Sequence, residues 1–420
     1  MKKIYKNILI NYKILRNKKY KDKKFDINSY DFFDYLFEKK KNFTEKFYKP
    51  NFLLHFLLTI LTLITIFKAK ILGINKAHYF VVANNLDVFR SQNIIDKIKN
   101  KKVLNIIRVN SFLTALKVFF NYDNVIYHNS LHFFSKIFFF KKFKDDFEKI
   151  NYINLKKIKF YKKIFAFLKL KRFIMIDDYR EIQQFLFVCK TLNIFTIAYQ
   201  HSRFSKYRVS LKYQTFDKYI VWNEYFKKQL IKNNKNYKGK IVINNFRNFK
   251  AIKKPIDYSK LNIARIIYFV DDNLDYKTVE KCLYKIISLN NIELLIKLKN
   301  NSLSNFQLIE FSRKNRLKLL SNISLKDLVK KNKPDFFLAA HSNVLIESSL
   351  YNCTPILLES NNDYSNDLVS EKLVFSLNYR DDFRKKIKYF LSDKTFKKKI
   401  YKKIWNIKNI KNENFLKYFI

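Results

Sequence analysis

Residues 334–359 read PDFFLAAHSNVLIESSLYNCTPILLE, and this stretch sets the fold class. Phe336-Phe337-Leu338-Ala339 is a short apolar run of the kind a strand buried on both faces requires. His341, Ser342 and Asn343 stand where that strand turns into a helix. Val344, Leu345 and Tyr351 fall on one face of the helix. Asn352 is placed to close it in a left-handed cap, and Pro355 opens the next strand, Ile356-Leu357-Leu358. A helix N-terminus at the C-terminal end of a strand presents backbone N–H groups and a positive dipole end, which suits a phosphate. Glu347, five residues beyond Ser342, is placed to accept hydrogen bonds from ribose hydroxyls. An ordinary strand–helix–strand unit with a Ser or Asn cap gives the same pattern, so this segment alone leaves the two readings open.

The same alternation runs outward in both directions. Upstream, strands are expected at His78–Val82, Val103–Val109, Asn124–Tyr127, Phe173–Ile176, Phe195–Tyr199, Tyr219–Trp222 and Lys240–Ile243. Helices are expected within 130–170, from Arg180 to Leu192 and from Glu224 to Lys232. The stretch 250–261, with Pro255 and several charges, reads as a linker. Beyond it come strands at Arg265–Val270, Glu293–Lys297 and 317–320, a helix near 277–288, and charged helices over 380–412. Short apolar strands alternating with helices predict an α/β protein with two Rossmann-like doubly wound domains facing across a cleft. The expected division is a helical extension over 1–75, an N-terminal domain over 76–250, a linker over 251–261, a C-terminal domain over 262–378 and C-terminal helices over 379–420.

Composition qualifies how motifs are read. The chain has 420 residues and a formal net charge of +50, from 85 Lys+Arg against 35 Asp+Glu. Such a charge suits nucleic acid or an anionic membrane. Lys, Asn, Ile, Phe and Tyr, all with A/T-rich codons, are abundant together, whereas Gly numbers 2 and Pro 4. Base bias therefore accounts for much of the charge. The lysines form no single stripe, and no nucleic-acid motif is present, so nucleic acid is not the expected partner. With so little glycine, positions of positive φ must use another residue, and Asn tolerates that region best. Asn84-Asn85, Asn244-Asn245 and Asn352 are read as such substitutes. Cys189, Cys282 and Cys353 are far apart in apolar contexts and read as reduced core residues. No Cys/His cluster has metal-ligand spacing. Asp271-Asp272-Asn273-Leu274-Asp275 lacks the Gly and terminal Glu of a calcium loop and reads as a solvated loop.

The longest apolar run, Phe52 to Phe67 (FLLHFLLTILTLITIF), is 16 residues. As a helix it would be about 24 Å long, short of a hydrocarbon core of roughly 30 Å. Lys49, Lys68 and Lys70 flank it. Three readings stay open: a helix lying in an anionic membrane surface, a buried helix, and a span.

The order of several pieces resembles GT-B-fold glycosyltransferases of bacterial surface polysaccharides such as lipopolysaccharide and capsule, a loose group that includes teichoic-acid glycerophosphotransferases. The pieces are Ile197-Ala198-Tyr199-Gln200-His201-Ser202, where the family commonly has Q-H-G; Asp217 to Phe226 (DKYIVWNEYF); Ile241-Val242-Ile243-Asn244-Asn245; and Ser342 through Glu347 to Pro355, like its S-x-x-x-x-E…P segment. Together they span about 175–360. The chain departs from the family at Ser202 and Asn244, which replace Gly, and at Ile296-Lys297-Leu298-Lys299, where many members carry K-x-H-P.

The resemblance implies an acceptor role for the N-terminal domain and a nucleotide-donor role for the C-terminal one. Glycosyl transfer needs a base for the acceptor hydroxyl and stabilisation of the departing diphosphate. Donor-binding candidates are Lys297, His341, Ser342, Asn343 and Glu347. His201 is the candidate base, because an imidazole titrates near neutrality, with Asp177 and Asp178 as alternative bases or as groups that orient it. Arg203, Lys206 and Arg208 have the charge to hold acceptor or donor phosphates, but in so basic a chain they read rather as a solvated basic loop. No cofactor or metal is expected. The implied partners are a nucleotide-sugar donor, a glycan or lipid-linked acceptor and an anionic membrane surface, at the inner face of the cytoplasmic membrane. Two alternatives stand beside sugar transfer: polyol-phosphate transfer from a cytidine nucleotide, and a non-catalytic surface- or glycan-binding protein that keeps the fold.

Overall fold

A computed structural model describes residues 52–82, 94, 98, 102–109, 112–128, 146–176, 182–204, 215–246, 263–271, 276–299, 304–340, 342–359, 365–393, 395–405 and 414–418. Asp177, Asp178, His341, Asn84, Asn85, Lys206, Arg208 and the stretch 250–261 lie outside them. The chain divides into two compact units. Among the described residues, the first unit holds 52–202, 215–246 and 414–418, and the second holds 203–204 and 263–405.

The first unit opens with α1 (Phe52–Ile71) and β1 (Lys76–Val82). Then come β2 (Leu104–Val109), α2 (Phe112–Asn121), β3 (Val125–Tyr127), α3 (Asp146–Phe167), β4 (Arg172–Ile176), α4 (Ile182–Thr191) and β5 (Phe195–Tyr199). β6 (Lys218–Val221), α5 (Glu224–Asn233) and β7 (Ile241–Ile243) complete it. The strands make one seven-stranded sheet in the order β3-β2-β1-β4-β5-β6-β7, and every pairing is parallel. The order reverses between β1 and β4, which makes that junction the topological switch point. On one face, α1 and α2 pack against Phe80, Ile107, Val125 and Tyr127. On the other, aromatic rings fill the layer: Phe185 of α4 packs against Tyr79, Tyr161, Phe165 and Phe173. The short 3-10 turn Phe415–Tyr418 belongs to this unit, its Tyr418 carbonyl accepting from Arg172 Nη1 at 2.6 Å.

The second unit runs β8 (Ala264–Phe269), α6 (Tyr276–Ile287), β9 (Ile292–Lys297), α7 (Ser304–Lys314), β10 (Lys318–Leu320), α8 (Leu325–Asn332), β11 (Phe336–Ala339) and α9 (Val344–Glu347). β12 (Thr354–Leu358), α10 (Asn366–Ser370), β13 (Phe375–Leu377), α11 (Phe383–Ser392) and α12 (Phe396–Trp405) follow. Its six-stranded sheet, β10-β9-β8-β11-β12-β13, is also parallel throughout, with the switch point between β8 and β11. The core here is mostly aliphatic, with Ile266, Leu294, Ile296, Leu338, Ile356 and Leu358 from the strands and Val279, Leu283 and Ile286 from α6. Each unit is thus a doubly wound parallel sheet of Rossmann type, as the alternation predicts.

Glycine scarcity has a visible solution. Both glycines, Gly73 and Gly239, sit at positive φ. Asn124, Asn193, Asn291, Asn322 and Asn352 occupy further left-handed positions, and Lys169, Arg316, Lys333 and Lys372 take others. Asn352 closes its turn at φ 57, as expected, with its N–H donating to Ser348 and Ser349. Asn244 and Asn245 do not take positive φ, so their reading as glycine substitutes is corrected. Asn244 instead continues from β7, its N–H donating to the Val221 carbonyl at 2.9 Å. Cys189, Cys282 and Cys353 are buried and unbridged.

Candidate functional site

In a parallel sheet all strand C-termini share one edge, and ligands of open α/β folds bind there. In the first unit this edge carries Gln200 and His201 after β5, Asn223 after β6 and Asn244 after β7. The turn after β5 is fixed by Gln200: its N–H donates to Ile220, its Oε1 accepts the Trp222 N–H at 3.0 Å, and its Nε2 donates to the Ser202 carbonyl at 3.0 Å. Gln200 is therefore a clamp between the ends of β5 and β6. His201 follows it and is buried at the same edge, 9% exposed. Asn223 caps α5 by accepting from the Phe226 N–H. The Trp-Asn-Glu piece of the sequence thus marks a strand end and a helix start.

In the second unit, Lys297 is the last residue of β9, Asp271 follows β8, Ser342 and Asn343 follow β11, and Asp367 lies in α10 after β12. Lys297 is half-buried, its Nζ donates to the Leu298 carbonyl at 3.1 Å, and desolvation lowers its pKa. Ser342 Oγ accepts the Val344 N–H at 3.3 Å, which leaves its own O–H to donate elsewhere. The phosphate cradle expected from the helix is smaller than the sequence suggested. α9 is a single turn, continued by the 3-10 turn Ser348–Tyr351, so little dipole accumulates. The N–H groups of Leu345, Ile346 and Glu347 donate to the Ser342 and Asn343 carbonyls, and that of Val344 to Ser342 Oγ. Glu347 is half-buried at the end of this turn.

Two residues depart from their expected roles. Asp271 is buried, 3% exposed, and its carboxylate accepts the Ala340 N–H at 2.7 Å across the switch point. It ties the ends of β8 and β11 together, which corrects its reading as part of a solvated loop. Arg203 is likewise buried rather than solvated. Its Nη1 reaches both Asp367 oxygens at 2.8 and 3.0 Å, its Nη2 donates to Ser365 Oγ, and its backbone N–H donates to Asn343 Oδ1. The Asp367 carboxylate neutralises the guanidinium, so Arg203 braces Asn343 and α10 and is not a ready phosphate ligand. Among the described residues, the structure brings Lys297, Ser342, Asn343 and Glu347 to one unit, and places His201 in the other. The roles of Asp271 and Asp367 had no sequence signature, because an Asp beside a strand or in a short helix does not name its partner, here the Ala340 N–H and the Arg203 guanidinium. Among the described residues, no group of three or more His, Cys, Asp or Glu could hold a metal ion.

No protein-family model and no curated protein sequence matches the chain. Solved structures do. The chain is similar to Staphylococcus aureus MnaA in its co-structure with UDP, at 12% identity and TM-score 0.49, over 78% of this chain and 90% of that one. It is similar to the calicheamicin glycosyltransferase at 7% identity and TM-score 0.49, over 79% and 93%, and to Acinetobacter baumannii MurG at 10% identity and TM-score 0.47, over 78% and 93%. With TM-scores below 0.5 these likenesses carry no argument, and the fold rests on the two parallel sheets themselves.

Proposed function

We propose that the protein is a glycosyltransferase that moves a sugar from a nucleotide-sugar donor to a glycan or lipid-linked acceptor at a membrane surface. The observation that carries this reading is the C-terminal edge of the second sheet. There, beside the switch point between β8 and β11, the chain places a desolvated cation, a hydroxyl donor and a carboxylate: Lys297, Ser342 and Glu347. Lys297 Nζ and the Ser342 hydroxyl, with Asn343 and His341, are assigned to the diphosphate, and Glu347 to the ribose. His201 is assigned as the base that takes the acceptor proton, with Asp177 or Asp178 as the alternative. The mechanism as proposed uses cations and hydrogen-bond donors on the leaving group and calls on no metal. The proposed place of action is the inner face of the cytoplasmic membrane.

Replacing His201 by Ala tests the assignment in the first unit. Turnover should fall about 10²- to 10⁴-fold while nucleotide affinity stays nearly unchanged. Loss of nucleotide binding with turnover retained would make His201 a donor ligand and shift the base to Asp177 or Asp178.

A second reading, a non-catalytic protein that keeps the fold, draws support from three observations. The single turn of α9 spends its N–H groups internally, Arg203 is neutralised by Asp367, and the K-x-H-P segment is replaced by Ile296-Lys297-Leu298-Lys299. Polyol-phosphate transfer would instead show itself as a preference for cytidine nucleotides.

A further inference from the structure

Both faces of α1 are apolar over most of its length. Leu58, Thr59, Thr62, Ile66 and Ala69 face inward and are buried. Phe56, Ile60, Leu63, Ile64 and Phe67 recur at three- and four-residue spacing on the outer face and remain exposed, Phe67 at 60%. α2 repeats the arrangement. Ala115 and Val118 are buried, whereas Leu113, Leu116 and Phe120 stand out at i, i+3 and i+7, Phe120 at 79% exposed. The two helices lie on the same face of the sheet and are joined through one residue. The Tyr127 N–H donates to Thr62 Oγ1 of α1, and its hydroxyl donates to the Ala115 carbonyl of α2 at 3.0 Å. Their outer apolar stripes therefore belong to one surface, of a kind that soluble monomers rarely expose.

Charge selects the partner. Phe167, at the end of α3, meets Phe67 edge-on at 6.0 Å and lies under Lys70 Nζ. α1 carries two lysines and α2 one, and neither helix holds an Asp or Glu. Exposed rings on helices that carry cations and no acid match an anionic bilayer, whose headgroups attract lysine while its acyl region accepts the rings.

We propose that the outer faces of α1 and α2 together form a docking surface that inserts shallowly into an anionic lipid bilayer. This deepens the membrane-surface part of the reading above, and its test needs no enzymatic activity. The test is co-sedimentation of the full chain with vesicles of phosphatidylcholine, with and without phosphatidylglycerol. The variants are Ile64→Lys/Phe67→Lys on α1, Leu113→Lys/Phe120→Lys on α2, and Phe306→Lys, an equally exposed ring in the second unit, as control. Each double variant adds positive charge, so simple attraction of a cationic protein predicts equal or stronger binding. Insertion predicts instead that each weakens partition about tenfold or more, while Phe306→Lys has no effect. Phe67→Trp and Phe120→Trp, which keep a ring at each site, should both shift their fluorescence to the blue on vesicles containing phosphatidylglycerol. Unchanged or stronger binding by the double variants would overturn the proposal, as would an effect confined to α1. A lowered melting temperature with vesicle binding intact would show that another segment of the chain covers this face, and would overturn it equally.

Discussion

The two sheets share a strand order, 3-2-1-4-5-6, with one more strand added in the first, yet they are filled differently. The first unit packs rings: Tyr79, Tyr161, Phe165, Phe173 and Phe185 form one layer, and two histidines are buried within it or beside it. His78 shares a hydrogen bond with the Tyr199 hydroxyl at 3.0 Å, and His128 with Tyr161 at 2.8 Å. The second unit packs mainly Ile, Leu and Val and keeps ionic groups to the strand ends, where Asp271, Asp335 and the Arg203–Asp367 pair sit. Topology follows from the alternation of strands and helices, which both halves possess. Filling follows from what the chain has to spend: the first core buries imidazoles among its rings, whereas the second buries the Tyr268 phenol but, among the described residues, no histidine. The first unit should accordingly respond to pH through its core, and the second to loss of charge at its edge.

That contrast can be broken at several points. The largest effect is expected from Arg203→Ala, which removes the guanidinium from buried Asp367, at a cost of about 3–5 kcal/mol. Thermal melting measures it, and Arg203→Met/Asp367→Leu should recover much of the loss. A double variant no better than the single one would mean that the pair does more than neutralise itself. Of similar size, Phe185→Ala should cost about 3–5 kcal/mol by opening a cavity among five rings in the first unit.

A smaller, pH-dependent effect is expected at His78. Burial pulls its pKa down from 6.5 to about 3, and its Nδ1 has no hydrogen-bond partner among the described residues. Between those two pH values the unfolded chain holds a proton that the folded chain does not. Stability contributed by neutral His78 is therefore full above pH 6.5 and falls as pH drops toward 3, by about 1.4 kcal/mol per pH unit at most. His78→Gln should flatten denaturant-derived stability over that window relative to the native chain. An unchanged slope would remove His78 from the account. The smallest effects belong to the backbone. Lys333→Gly and Lys372→Gly relieve left-handed φ and should stabilise by at most about 1 kcal/mol, whereas Gly73→Ala should destabilise by about as much. Calorimetry of the three variants decides it.

Much of this architecture was legible in the sequence. Phe195–Tyr199 and Phe336–Ala339 are strands at the bounds that their apolar runs suggest, and Asn352 caps its turn. What escaped had weak local signal. β13 (Phe375–Leu377) is three residues long, and α7 and α8 interrupt their apolar spacing with polar residues. At the candidate site, the positions of Lys297, Ser342 and Glu347 followed from the strand–turn–helix pattern. The shortness of α9 did not, because Ser348 and Ser349 fit a longer helix equally well until their hydroxyls are seen donating to the carbonyls of Leu345 and Ile346, three residues back. The outer face of Phe52–Phe67 was ambiguous for a similar reason: a run apolar on every side does not say which side is buried. No helix among the described residues is long and apolar enough to cross a membrane.

Nucleotide binding at the edge of the second sheet is best measured by thermal shift with UDP, GDP, CDP and CMP on the native chain and on Glu347→Ala. A ligand that binds only the folded protein raises its melting temperature. A rise is expected with at least one nucleoside diphosphate. Affinity should fall about ten- to hundredfold in Glu347→Ala, the worth of one hydrogen bond to a charged group. No shift with any of the four, or the same shift in the variant, would rule out a nucleotide held there by Glu347.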